Sequence, residues 1–236
     1  MRLDKYLGQI GTNTRSEWKK IIQSGAVSVN DKVIKDAGFH VNETTDLVFV
    51  RGEKISYQKF RYYMFHKPAG CITATRDDKE KTVMDFFPKE LHKNLFPVGR
   101  LDKDTEGLLL LTTDGDFSHS LMSPKKHISK EYYFMAQGKL TAEGILRLEQ
   151  GIEIGKDEKI TEPAKIEVIR QEEDTVEGIL TITEGRFHQV KRMLHAAGCE
   201  VTYLKRRAIG GLSLDEALEK GAFRELTTEE IKEIYE

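Results

Sequence analysis

Gly99-Arg100-Leu101-Asp102-Lys103-Asp104-Thr105-Glu106-Gly107-Leu108-Leu109-Leu110-Leu111-Thr112-Thr113-Asp114-Gly115 crowds three carboxylates, Asp102, Asp104 and Glu106, into one short loop. Glycines flank the loop, and four consecutive leucines follow it directly. An unbroken leucine run of this length reads as a buried strand. The loop therefore holds carboxylates at the edge of a core, where desolvation and neighbouring cations tune them. Its D-x-D-x-E-G order imitates the start of an EF-hand calcium loop. That reading fails, because position 9 counted from Asp102 is Leu110 and position 12 is Thr113, where oxygen ligands are required. By composition alone the segment fits a solvated turn as well as a site.

Around this loop the chain alternates short strands and helices. Tyr62–Phe65 is an apolar strand running into a turn, His66-Lys67-Pro68-Ala69-Gly70. Residues 82–87 suit one or two helical turns. Strand-like runs follow at 95–98, 108–112, 130–137, 164–169 and 176–183. Residues 189–197 are amphipathic: Val190, Met193, Leu194 and Ala197 share one face, while Lys191, Arg192 and His195 lie on others. Strands without a regular βαβ rhythm predict an α+β domain with a mixed, mainly antiparallel sheet flanked by helices.

The first fifty residues read as a separate small module. Leu3, Tyr6, Leu7 and Ile10 follow helical spacing, and Gly11 and Asn13 break it. Thr14-Arg15-Ser16-Glu17 fits a capping box for a second helix that buries Trp18, Ile21 and Ile22. Val27 and Val29 alternate into a strand, Asn30-Asp31 turns it, and 46–51 forms another strand. Arg2, Lys5, Arg15, Lys19 and Lys20 fall on or beside the two helices, where they could face a phosphate backbone or act as ordinary surface charge. The expected division is 1–52 for the module, a polar linker at 53–60, and a second domain at 61–236.

Composition limits the function classes. Hydrophobic residues make up 39% of the 236 positions and charged residues 32%, with a formal net charge of −2, which fits a folded globular chain. No apolar run approaches the ~20 residues that span a bilayer, and the N-terminus has no secretory h-region. Cys71 and Cys199 lack any ligand or disulfide spacing, so a reducing cytoplasm is the expected location and no structural metal is expected. Residues 1–139 carry 23 Lys and Arg against 18 Asp and Glu, and residues 140–236 carry 14 against 21. Within that acidic half, Arg186, Lys191, Arg192, Lys205, Arg206 and Arg207 form a basic island, as expected for a local polyanion contact or a solvated face.

GRLDKDTEGLLLLTTDG resembles the catalytic signature of the pseudouridine synthases, specifically the RsuA-like branch that acts on ribosomal RNA. Further segments agree in order and spacing: KPAG at 67–70, Lys130-Glu131-Tyr132, EGRFHQVKRML at 184–194 and IGGLSL at 209–214. The N-terminal module resembles the S4 RNA-binding domain that precedes the catalytic domain in this branch. His66 departs from the family pattern, which usually has Asn there. The resemblance implies that Asp102 is the essential aspartate that attacks the target uridine, at base C6 or sugar C1′. It implies that Tyr132 stacks on the uracil and serves the later proton removal, and that Lys191 pairs with the catalytic carboxylate. Arg100 and Thr105 would shape the loop or touch the flipped nucleotide. Lys67, Arg186, Arg192, Arg2, Lys5, Arg15 and Lys19 would contact RNA, as would the run 205–207. The implied partner is ribosomal RNA or an assembling small subunit, 16S RNA first and large-subunit RNA as the alternative. The protein would be a monomer, need no cofactor or metal, and have no membrane association.

The chemistry is consistent with this set. Converting uridine to pseudouridine breaks a C–N bond, turns the base and makes a C–C bond, with no net redox change or group donor. It needs an ionised carboxylate, a cation to oppose the upward pKa pull of an apolar floor, and an aromatic face for a base that has left the RNA stack. His188 and His195 are expected as RNA contacts or structural groups, and Asp104, Glu106 and Asp114 as loop-shaping or capping carboxylates. A non-catalytic RNA-binding or ribosome-assembly factor and a metal-dependent hydrolase remain as rival classes. Activity on an rRNA fragment separates the first, and chelator sensitivity the second.

Overall fold

The computed structural model describes residues 1–8, 13–43, 45–55, 60–156 and 158–236. The chain divides into two compact units, Met1–Phe60 with Lys89–Lys93, and Arg61–Pro88 with Asn94–Glu236.

In the first unit, α1 (Leu3–Gly8) and α2 (Arg15–Gln23) pack with a four-stranded sheet. Its strands are β1 (Val27–Val29), β2 (Lys32–Val33), β3 (Val48–Val50) and β4 (Glu53–Ile55), in the antiparallel order β2-β1-β3-β4. Leu3, Tyr6, Leu7, Trp18, Ile22 and Val48 supply its core. The expected Ile10 and Gly11 lie outside the described residues. The capping box forms: the Glu17 amide donates to Thr14 Oγ1 at 3.3 Å and the Thr14 amide to Glu17 Oε2 at 2.7 Å. Asn30 and Asp31 both take left-handed φ, +48° and +65°, as a two-residue hairpin turn requires. The polar pattern of 53–60 reads as linker, but Glu53–Ile55 pair with β3. That register sets Ile55 opposite Val48 and against the small core, so two charged residues and one isoleucine complete the sheet. Residues 56–59 of the expected linker lie outside the described residues.

The second unit is built on β5 (Tyr62–Lys67), β6 (Phe96–Val98) and β7 (Glu106–Thr112), then α3 (Gly115–Met122), β8 (Lys130–Gly138) and α4 (Ala142–Gln150). It continues through β9 (Lys165–Gln171), β10 (Thr175–Ile182), α5 (Gln189–Ala196), β11 (Cys199–Ile209), β12 (Leu212–Ser213), β13 (Phe223–Glu225) and α6 (Thr228–Glu233). One nine-stranded sheet runs β13-β5-β7-β11-β8-β10-β9, with β6 beside β7 and β12 beside β11. Among these described strands only β7 and β11 pair in parallel, so the sheet is mixed and mainly antiparallel as expected.

Every residue of β7 is buried, which is why its sequence shows no alternation. The apolar strand β5 runs two residues further than its sequence suggests. His66 pairs with Leu108 and Lys67 with Gly107, so the expected turn begins only at Pro68. Gly107 has φ +104°, and a Cβ there would lie 2.2 Å from the Arg206 carbonyl oxygen. Only glycine lets β11 come this close to the end of the carboxylate loop. Asp114, the last acid of the signature, caps α3 by accepting from the Asp116 and Phe117 amides.

Candidate active site

The carboxylate loop is fastened from beneath by a buried lysine. Lys67 is fully buried, and its ammonium donates to the Asp102 and Thr105 carbonyls at 2.9 Å each. Pro68 O at 3.2 Å and Lys103 O at 3.4 Å complete its surroundings. Burial pulls its pKa below the ordinary lysine value, and the carbonyl oxygens surround the charge in place of water. This position corrects the expectation that Lys67 touches RNA: no part of it reaches the surface. Thr73 Oγ1 adds a second anchor, donating to Leu101 O at 2.7 Å and accepting from Leu101 N at 3.1 Å.

Above this floor the Asp102 side chain is 26% exposed and faces the start of α5. Its Oδ1 lies 3.4 Å from His188 Nε2 and its Oδ2 3.5 Å from Lys191 Nζ. Lys191 sits closer to Asp104, at 2.6 Å, so it is shared by two carboxylates rather than dedicated to one. Burial raises the Asp104 pKa, but the Lys191 hydrogen bond and charge, with a backbone hydrogen bond and nearby His188, together hold it below the ordinary carboxylate value. His188 takes a left-handed φ of +49° at the helix start, which turns its ring toward Asp102. The ring of Phe187, 76% exposed, stacks on His188 with centroids 3.8 Å apart.

Across the cleft Tyr132, on β8, is 9% exposed. Its register partner on β11 is Arg206, whose Nη1 lies 3.5 Å from the Tyr132 hydroxyl and whose Nε donates to Leu108 O at 2.8 Å. Together these groups line a cavity of about 510 Å³, in the size range of small-molecule sites. Asp102, Tyr132, Lys191, Arg100, Thr105 and Arg186 all border it.

Other expected contacts are placed differently. Arg192 clamps α5 to the neighbouring loop through Ile154 O at 2.7 Å and Glu158, so its guanidinium is already engaged. Arg186 similarly holds Ile160 O at 2.9 Å, Lys159 O and Glu184. In the first unit, Arg2 and Arg15 reach the buried Asp4 carboxylate at 3.1 and 3.4 Å, and Lys5 and Lys19 are exposed. Arg2 holds the Asp4 carboxyl below its ordinary pKa, chiefly by hydrogen bonding. Arg206 corrects a second expectation: it is 5% exposed inside the cleft, whereas a backbone contact requires exposure. Arg207 beside it is exposed and lies 3.6 Å from Glu131. Lys130, His188 and Arg206 are named in the sequence, in a motif or as expected contacts, but their place in the cleft beside Asp102 and Tyr132 is not visible there. For Arg206 the period-2 pattern Leu204-x-Arg206 within a strand is the signal that could have placed it on the inner face.

Lys191→Ala leaves Asp102 and Asp104 facing each other without a shared cation. Any reaction that needs the Asp102 carboxylate oriented beside that cation then slows by about 100-fold, with RNA affinity unchanged within a few-fold. Single-turnover rates beside equilibrium binding check this, and a defect confined to binding would contradict it.

Residues 61–196 match the family described as RNA pseudouridylate synthase, and residues 1–47 match the S4 domain. An uncharacterised RNA pseudouridine synthase of Bacillus subtilis is 47% identical over 98% of this chain and 97% of its own. Ribosomal small subunit pseudouridine synthase A of Vibrio cholerae is 39% identical over the whole of both chains. Ribosomal large subunit pseudouridine synthase B of Bacillus subtilis is 40% identical over 99% of this chain and 95% of its own. A solved pseudouridylate synthase superposes over 99% of both chains with a TM-score of 0.70 at 36% identity.

Proposed function

The chain belongs to the RNA pseudouridine synthases that carry an N-terminal S4 domain, and on that premise we propose that it isomerises one uridine of small-subunit ribosomal RNA, acting as a monomer. The observation that carries the reading is the Asp102 carboxylate, held by its loop between Lys191 and His188 and facing a base-sized cleft that Tyr132 borders. Asp102 supplies the nucleophile. Lys191 and His188, 3.5 and 3.4 Å from its oxygens, aim it. Tyr132 offers a ring for a uracil that has left its stack, and its hydroxyl would serve the later removal of the C5 proton. The protein has only to position groups and exclude water, since the isomerisation consumes nothing.

The substrate assignment draws on the relatives of the small-subunit class, one of which aligns end to end. Large-subunit RNA is the second reading, favoured by the 40% identical relative of that class. Mapping pseudouridines in ribosomal RNA from cells with and without this protein decides between them. The expected result is the loss of one site in 16S RNA. A site lost from large-subunit RNA moves the substrate, and no lost site overturns the function.

The S4 unit is proposed to grip structured RNA through Lys5, Lys19 and the outer faces of Arg2 and Arg15. Because β4 belongs to its sheet, the informative truncation removes residues 1–60. RNA affinity then falls, and the dependence of log affinity on log salt becomes shallower by about one unit for each phosphate that is no longer neutralised. Unchanged affinity and slope would remove this unit from substrate binding.

A further inference from the structure

Two buried cations in the cleft make no ion pair among the described residues. Arg206 is 5% exposed and Lys130 9%. Lys130 Nζ donates to the Ile128 carbonyl at 2.7 Å; burial lowers its pKa, and the Arg206 charge lowers it further. Arg206 spends Nε on Leu108 O and Nη1 on the Tyr132 hydroxyl, while its buried Nη2 has no hydrogen-bond partner among the described residues. The Thr105 hydroxyl, also buried and bordering the cleft, is likewise unmatched. Burying like charges together without a carboxylate is costly, and an unmatched guanidinium nitrogen adds to the cost. Such an arrangement persists where something negative arrives during function.

Resting on the reading of the cleft as a uridine-isomerising site, we propose that Arg206 is a catalytic residue that stabilises the negative charge developing on the uracil ring as it detaches. Uridine enters neutral. If Asp102 bonds to C1′ as the C1′–N1 bond breaks, the electron pair of that bond stays on the ring, spread over N1 and the two carbonyl oxygens. Attack at C6 instead drives the C5–C6 pair onto O4; the C1′–N1 bond then breaks with its pair kept on N1, and Asp102 later leaves C6 with the C6–O pair. Either route makes an anion where none existed, so a cation waiting there favours the transition state over the bound substrate. The ring then turns and C5 bonds to C1′. Asp102 leaves with its own pair, C5 loses its proton and N1 gains one, so nothing is consumed. The same attraction keeps the detached ring from escaping while it rotates.

The position suits this role. Arg206 faces Tyr132 across β8 and Gly107 across β7, which places the guanidinium beside both the aromatic residue and the end of the Asp102 loop.

The test uses the full chain and two free bases. Uracil is neutral at pH 7, whereas 5-nitrouracil is an anion. Wild type is expected to bind 5-nitrouracil at least about tenfold more tightly than uracil, as a buried unpaired cation would dictate. Arg206→Met should abolish that preference with uracil affinity little changed, and Arg206→Lys should restore part of it. With ribosomal RNA, Arg206→Met should lower the single-turnover rate by about 100-fold or more at saturating RNA while leaving the dissociation constant within a few-fold. Equal affinity of wild type for the two bases, absence of 5-nitrouracil binding, or a preference that survives in Arg206→Met overturns the proposal. Failure of the wild type to form pseudouridine would instead overturn the functional reading, and the base preference reports on Arg206 separately.

Discussion

Asp102→Asn is expected to abolish pseudouridine formation, lowering the single-turnover rate by about 10⁴-fold or more, while RNA affinity stays within a few-fold. The amide has the size and shape of the carboxylate but neither its charge nor its nucleophilicity, so the change isolates chemistry from packing. Lys191 keeps Asp104 as a partner at 2.6 Å, and the loop keeps its anchors at Lys67 and Thr73, none of which uses the Asp102 side chain. Binding is spread over many side chains in both units and should survive. A variant that still turns over at a comparable rate would exclude Asp102 as the attacking group.

Lys67→Met is expected to cost about 2–4 kcal/mol of stability and to reduce turnover by a comparable factor to Lys191→Ala or more. Methionine fills most of the lysine's volume, so packing is nearly preserved and the loss is electrostatic. The Asp102 and Thr105 carbonyls, each 2.9 Å from the ammonium, would be left buried without a donor. Relief of the lysine's own desolvation offsets part of that cost, which is why the expected loss is below the sum of its hydrogen bonds. With the anchor gone the Asp102 backbone can shift, and small displacements of a nucleophile are expensive. Thermal melting and single-turnover rates measured together check both halves. An unchanged melting temperature would mean that the loop holds itself.

Lys67 and Arg206 also mark where sequence reading stops. The elements around the core are legible because burial leaves a pattern: the four leucines of β7, the alternation in β10 and the apolar face of α5 each give a recognisable period. The Thr14–Glu17 capping box is legible for a different reason, since its chemistry is local. Charged residues carry no such mark. Lys67 sits at the end of an apolar strand and looks like the start of a turn, yet the ring of carbonyls that receives it comes from a loop 35 residues away. The run 205–207 reads as a basic surface, but in β11 alternate side chains face opposite ways, so Arg206 enters the cleft while Arg207 stays outside. Because its charges mask the alternation, β11 does not read as a strand, although it is central to the sheet. α4 is likewise absent from the expected elements, and β4 reads as linker because its contribution depends on a partner strand. The carboxylate loop is visibly unusual, but its function is not visible in it: solvated turn and active site share that composition, and only the folded arrangement around Asp102 separates them.

Release of tritium from C5 of uridine tests the central claim most directly, because forming the new C–C bond at C5 expels that hydrogen. Small-subunit ribosomal RNA labelled at C5 of uridine is incubated with purified full-length protein, with Asp102→Asn beside it. The wild type should release one uridine's worth of tritium per RNA and then stop, and the variant should release none. No release by the wild type from ribosomal RNA of either subunit, or undiminished release by the variant, would contradict the account.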